Sequence, residues 1–282
     1  MSIGLQYRYK DEIYVVQTAK RPIVYLDNWA INGFIKDTCL GEQFIKIIEN
    51  NGGTVAFSLL NLYEIVVRDD EKEKYEIMQF ISRLNDAFIE MNPYKVEKRE
   101  SLFGLDPIKC FENQTWAHQE LIEALALYAR PFKALNVAEA LGILNHEIKR
   151  GYSIEKERFE EELMPIIKEY RDSKEKRKEA KRIIKNKIML KEKDGLYTKG
   201  LVQYAFSYIV SNENMKMGNK EWFDLFHLLV PMSYCDFVLA DRRWVHFSKT
   251  TGLCYPNIAK IYGPNNIGDF MISLKVYNSC GK

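Results

Sequence analysis

The stretch Pro22-Ile23-Val24-Tyr25-Leu26-Asp27-Asn28-Trp29 decides the fold. Its compact apolar run is too short for a helix and, rich in branched and aromatic side chains, suits a buried strand. The run ends on an acid, Asp27, after which apolar residues recur at helical spacing through Ile31, Phe34, Ile35, Phe44, Ile45, Ile47 and Ile48. Asn50-Asn51-Gly52-Gly53 is a strong stop signal. A second strand, 54–57, follows at once, and Ser58 is placed to N-cap a helix over 59–67 that contains Glu64. Residues 69–91 read as one amphipathic helix with Tyr75, Met78, Phe80, Ile81 and Leu84 on one side. Strand, helix, strand, helix in this order predicts an α/β fold with a parallel sheet.

Outward from this core, residues 1–20 alternate polar and apolar as a hairpin or edge strand would. The pattern changes over 99–218, where 114–134, 137–150 and 154–193 (broken or bent near Pro165) read as helices. This stretch is expected to be a helical insertion between a first part, 1–98, and a second, 219–282. In the second part, 219–230 reads as a helix and 231–234 as a link. A strand over 235–240 closes on Asp241, and helix 242–249, strand 258–262 and helix 267–275 complete the chain.

Composition narrows the classes. With 282 residues, 46% apolar and 28% charged, the chain can bury a core without disulfides or a structural metal. Its five cysteines are scattered, with no C-x-x-C pair and no zinc-ligand spacing, so a reducing cytoplasm is expected. No apolar run approaches the roughly 18 residues of a membrane span, and no membrane partner is expected. The net charge of +2 excludes little, because a local basic stripe can be balanced by an acidic pocket.

Two predicted strands end in an acid where a helix begins, at Leu26-Asp27-Asn28 and Ala240-Asp241-Arg242. In open parallel sheets, sites form outside the carboxyl ends of strands, so both acids should share one edge. Glu64 lies on a helix starting from that edge, and Asp224 can reach the same mouth from the helix before the fourth strand. Four carboxylates in one cleft repel one another unless a cation lies between them. Oxygen-only ligation selects Mg²⁺ or Mn²⁺, ions that activate water and steady charge on a phosphodiester. Asn28, Ser58 and His227 are candidates for hydrogen bonds behind these acids. Asp236 starts the strand that Asp241 ends, roughly 16 Å away, and is not expected to join them.

The segments IVYLDNWAI with Asp27, AFSLLNLYEIV with Ser58 and Glu64, WFDLFHLLV with Asp224 and CDFVLADRRW with Asp241 resemble the PIN-domain family over 22–95 and 219–275. The resemblance implies a PIN-like three-layer fold with strand order 3-2-1-4-5. It also implies a Mg²⁺- or Mn²⁺-dependent endonuclease, RNA preferred over DNA, with Asp27, Glu64, Asp224 and Asp241 as catalytic and metal-holding residues. The long interval from Glu64 to Asp224 departs from small toxin-type members and suits a larger protein with an insertion.

Other readings stay open from the residues alone. Asp27 and Asp241 could cap or pair locally, Glu64 could pair with Arg68 at i+4, and Asp224 could answer its helix dipole. The run holding Lys174, Arg177, Lys178, Lys181, Arg182 and Lys185 suits phosphate contacts or an ordinary solvated helix. A non-catalytic scaffold binding nucleic acid or protein is one alternative function. An aspartyl-phosphate phosphatase is another, weakened because Trp29 stands where that chemistry wants a second acid. A second copy of the chain or an inhibitor protein stays open as a partner.

Overall fold

A computed structural model describes residues 3–8, 12–17, 19–90, 92–103, 134–135, 137–187, 197–212, 215, 218–255 and 257–277. Its centre is a five-stranded, all-parallel sheet. The strands are β3 (Ile23–Leu26), β4 (Thr54–Ser58), β5 (Asp86–Ile89), β7 (Phe237–Leu239) and β8 (Lys260–Tyr262). They lie side by side as β5-β4-β3-β7-β8, which is order 3-2-1-4-5 of a three-layer α/β fold. All of β3 is fully buried, which is why its sequence is an unbroken apolar run rather than an alternating one.

One group of helices packs in series: α1 (Asn28–Lys36) on α2 (Thr38–Asn51) and α4 (Glu71–Ile81), and α2 on the C-terminal α12 (Ile267–Lys275). Phe34, Phe44 and Phe80 stack at this junction, and Phe270 bridges from Phe44 to Phe237 of the sheet. A second group joins α5 (Pro93–Phe103), α7 (Met164–Asp172), α8 (Lys174–Asn186), α9 (Tyr197–Ser211) and α10 (Asn219–Tyr234). Between them, α6 (Val137–Arg158) lies against α3 (Leu59–Val66), α4 and β5, and continues into a π-helical turn over Phe159–Leu163. Helix α11 (Arg242–Thr251) links β7 to β8. Apart from the main sheet, β1 (Ile3–Arg8) and β2 (Glu12–Gln17) form an antiparallel hairpin joined on the β1 side by β6 (Ala134–Leu135).

Four local expectations need correction. Residues 69–91 are not one helix: α4 stops at Ile81, and Asp86–Ile89 is the third strand. The strand is short and opens with a buried aspartate, and that polar start hid it; Asp86 Oδ2 accepts Val137 N at 2.8 Å. The helical pattern after Trp29 is two helices, because Asp37 ends the first and caps the second by accepting Leu40 N. Pro231 sits inside α10, which runs on to Tyr234. The helix read over 154–193 runs on from Val137–Arg158, has its irregularity near Pro165 as expected, in the π turn, and is interrupted at Ser173, which caps α8. The helix read over 114–134 lies outside the described residues except at Ala134, which is in β6; residues 188–193 also lie outside them.

Candidate functional site

Register fixes two of the acids. Tyr25 pairs with Ala56 on one side and Val238 on the other, and Leu26 pairs with Leu239. The Asp27 N–H donates to Leu239 O at 3.0 Å, so Asp27 and Asp241 leave adjacent strands at nearly the same level. Both become N-cap residues, of α1 and α11. Asp27 accepts its hydrogen bond from the Asn28 N–H at 2.8 Å, whereas the Asp241 side chain makes no capping bond and is exposed. Capping therefore does not account for Asp241.

Glu64 arrives on α3. Ser58, level with Asp27 at the end of β4, starts that helix through a reciprocal cap with Asn61: Asn61 N donates to Ser58 Oγ, and Ser58 N donates to Asn61 Oδ1. Asn61 Nδ2 also donates to Leu26 O at 3.2 Å, fastening the start of α3 to the residue before Asp27. The Tyr25 hydroxyl and Ser58 Oγ lie 3.0 Å apart, closing the network beneath the acids. One further turn along α3, half-buried Glu64 receives the Asn28 side-chain amide. Asp224 is half-buried on α10, with His227 one turn later. That histidine is buried, and its ring centroid lies 5.9 Å from that of Tyr25.

The four acids share one electrostatic field. Burial, and next the negative charge of Asp241, push the Asp27 carboxyl up to about 7; the Asn28 N–H opposes this, and Glu64 and Asp224 add to the rise. The charges that act most strongly on Asp27 are thus all negative. Burial, then Asp27 and further Glu64, hold the Tyr25 hydroxyl well above its ordinary range, so it stays a neutral hydrogen-bonding group. A carboxylate concentration of this kind favours protons or a cation at its centre.

Whether the set fits a divalent ion depends on the number of ligands required. Among the described residues, no group of three or more His, Cys, Asp or Glu side chains is arranged to hold a metal ion as placed. An all-protein cage is therefore not preformed. Mg²⁺ keeps several of its waters and takes one or two carboxylates, so it asks less of the protein than a full cage, and Asp27 and Asp241 at adjacent strand ends are the pair of the right chemistry. A second feature suits that chemistry: Asn28 Oδ1 is buried with no hydrogen-bond partner while its amide nitrogen serves Glu64.

The basic residues lie along α8. Lys174, Lys178, Lys181, Arg182 and Lys185 are exposed on α8 and Arg177 is half-buried there. Arg182 pairs with Glu179, and Lys176 with Glu169. Lys187, which caps α8, reaches Gly252, where an added Cβ would clash with its Nζ. Gly252 closes the end of α11 opposite Asp241, roughly 15 Å along the axis at 1.5 Å per residue. That end of the basic helix lies away from the acids.

Asp236, set aside from the acids by spacing, has a structural role. It is fully buried and accepts from Arg21 Nη1 at 2.9 Å, Ile23 N at 2.8 Å and the Tyr255 hydroxyl at 3.1 Å. Asn61 and Tyr25 escaped notice in the sequence. Asn61 occupies the place where a capping box usually shows Glu or Gln, and Tyr25 looks like one more apolar residue of its strand. No family model matches the chain, and neither a curated protein nor a solved structure matches it.

Proposed function

We propose that this chain is a metal-dependent endonuclease of PIN-like organisation that hydrolyses phosphodiester bonds, RNA in preference to DNA, in the cytoplasm. The observation that carries it is geometric: β3 and β7 end side by side on Asp27 and Asp241, and Asn28, next to Asp27, bonds Glu64; the charges of Asp241, Glu64 and Asp224 all act on Asp27. In this account Asp27 and Asp241, leaving adjacent strands, hold Mg²⁺ or Mn²⁺, with Asp224 binding the ion or its water. Glu64, oriented by the Asn28 amide, ligates the ion or accepts a proton from the attacking water. When bound, the ion acidifies water and neutralises charge on the phosphate. The segment 99–218 serves as the insertion, and α8 supplies phosphate contacts remote from the cut bond.

The test is an incubation of the full chain with end-labelled RNA and DNA, each with Mn²⁺, with Mg²⁺ and with chelator. Internal cleavage that needs the ion and is faster on RNA is expected. Absence of ion-dependent cleavage of either polymer contradicts the proposal. Among the described residues no helix is long and apolar enough to cross a membrane.

A further inference from the structure

Helix α11 leaves the rim at Asp241 and carries no acid anywhere in Arg242–Thr251. Its buried face is made of Trp244, Phe247, Ser248 and Thr251. Away from that face, Arg242, His246 and Lys249 are exposed at i, i+4 and i+7, which sets them in one stripe. Exposed Arg243 stands at its edge. The stripe is about 10 Å long at 1.5 Å per residue.

Two of these positions run against helix physics. The N-terminal end of a helix carries partial positive charge, so acids are favoured in its first turn and cations are not. Lys249, in the last turn, suits that dipole, whereas Arg242 and Arg243 open the helix. Neither arginine is there to answer an acid of its own chain. Arg242 Nη2 donates to the neutral Asn265 side chain at 3.0 Å, and Arg243 lies over the Trp244 ring, 5.9 Å from its centroid. Among the described residues no carboxylate pairs with Arg242, Arg243 or Lys249. On α7 and α8, by contrast, glutamates pair with Lys176 and Arg182.

The stripe also has a direction. It starts at the residue after Asp241 and ends one turn before Gly252, which Lys187 of the α8 cap reaches. Helix α11 thus joins the edge of the sheet where Asp27 and Asp241 emerge to the C-terminal end of the basic helix. A small anion needs one such cation. A row of them fits an anion that repeats, and a nucleic-acid strand carries a phosphate at every step.

We propose that the exposed stripe of α11, led by Arg242 and Arg243, is the track along which the phosphates of the substrate strand lie between the acids and α8. This rests on the nuclease function above and adds the path of the substrate. Binding to the track needs no hydrolysis, so the two are tested apart.

The probe is a fluorescein-labelled single-stranded RNA dodecanucleotide, titrated in chelator with the full chain from about 50 to about 300 mM KCl, with anisotropy as the readout. Each phosphate contact to a single strand adds about 0.7 to the slope of log affinity against log salt. The double variant Arg242→Gln/Arg243→Gln should therefore lower that slope by about 1.4. Lys72→Gln, an exposed change on α4, controls for net charge and should leave it unaltered. An unaltered slope in the folded double variant overturns the track. So does an equal fall per charge with Lys72→Gln, a strand that the wild type does not bind, or equal competition by polyglutamate. Urea midpoints check folding, and if the double variant does not fold, Lys249→Gln should lower the slope by about 0.7 and decides instead. Cleavage in Mn²⁺ is measured separately. Ion-dependent cutting with an unaltered slope keeps the nuclease and removes the track, and a lowered slope without cutting does the reverse.

Discussion

Replacing Asp27 by asparagine is expected to lower Mn²⁺-dependent cleavage on the order of 10³-fold, the scale seen when a key charge-stabilising group is lost. The same change should make the metal-free protein more stable at pH 8. The two effects have one cause. The folded protein holds the Asp27 carboxyl at about 7, above its ordinary 3.8. Between those values the folded state binds the proton that the unfolded chain has released, so stability falls as pH rises through this window. Above pH 7 the full cost of an ionised Asp27 is present, up to about 4 kcal/mol by the linkage relation. Asparagine keeps an oxygen for the Asn28 N–H, which now bonds Asp27 Oδ1, and carries no charge. Thermal melts in chelator at pH 5 and pH 8 check this. The gap between variant and wild type should grow from about 1.6 kcal/mol at pH 5 to about 4 kcal/mol at pH 8, and Mn²⁺ should narrow it by stabilising only the wild type. Undiminished cleavage by Asp27→Asn would remove Asp27 from the chemistry.

The second large effect concerns stability alone. Asp236→Ala should cost about 3–5 kcal/mol, the usual consequence of removing one partner from a buried charge pair. Asp236 receives Arg21, the Ile23 backbone N–H and the Tyr255 hydroxyl at once, so its loss strands three donors at the start of β3 and β7. Urea denaturation should show a lower midpoint with an unchanged slope. Cleavage per folded molecule should survive at low temperature, because Asp236 precedes the strand that Asp241 follows. A loss below about 1 kcal/mol would contradict the structural role given to this aspartate.

The parts of the fold legible in the sequence were those where one physical signal dominated. Ile23–Leu26 is buried on all sides, and its apolar run declared a central strand. Ser58 revealed α3 because a hydroxyl before an apolar run has one common use there. From those two points and the strand ending at Asp241, a parallel sheet followed. The third strand did not show, because Asp86 places a charged residue in a fully buried position where its partner, Val137 N, is distant in sequence. Strand β6 is two residues long, and two residues carry no period.

The candidate site divides along the same line. Asp27 and Asp241 are local features, each an acid closing a strand, and the register of β3 against β7 puts them together. Glu64 and Asp224 depend on how α3 and α10 pack, and there the sequence supplied only their order. Their charges do reach Asp27. The tie from Asn61 to Leu26, and the stack of Tyr63 on Tyr152, join residues whose spacing has no local pattern to read.

The proposed nuclease depends on carboxylates at the ends of β3 and β7 holding a hard cation. Anomalous diffraction from crystals soaked in Mn²⁺ tests it most directly. A peak is expected within oxygen-ligand distance of Asp27 and of at least one of Asp241, Glu64 and Asp224. An ordered, soaked crystal with no peak at that rim, or with Mn²⁺ bound only elsewhere, would contradict it.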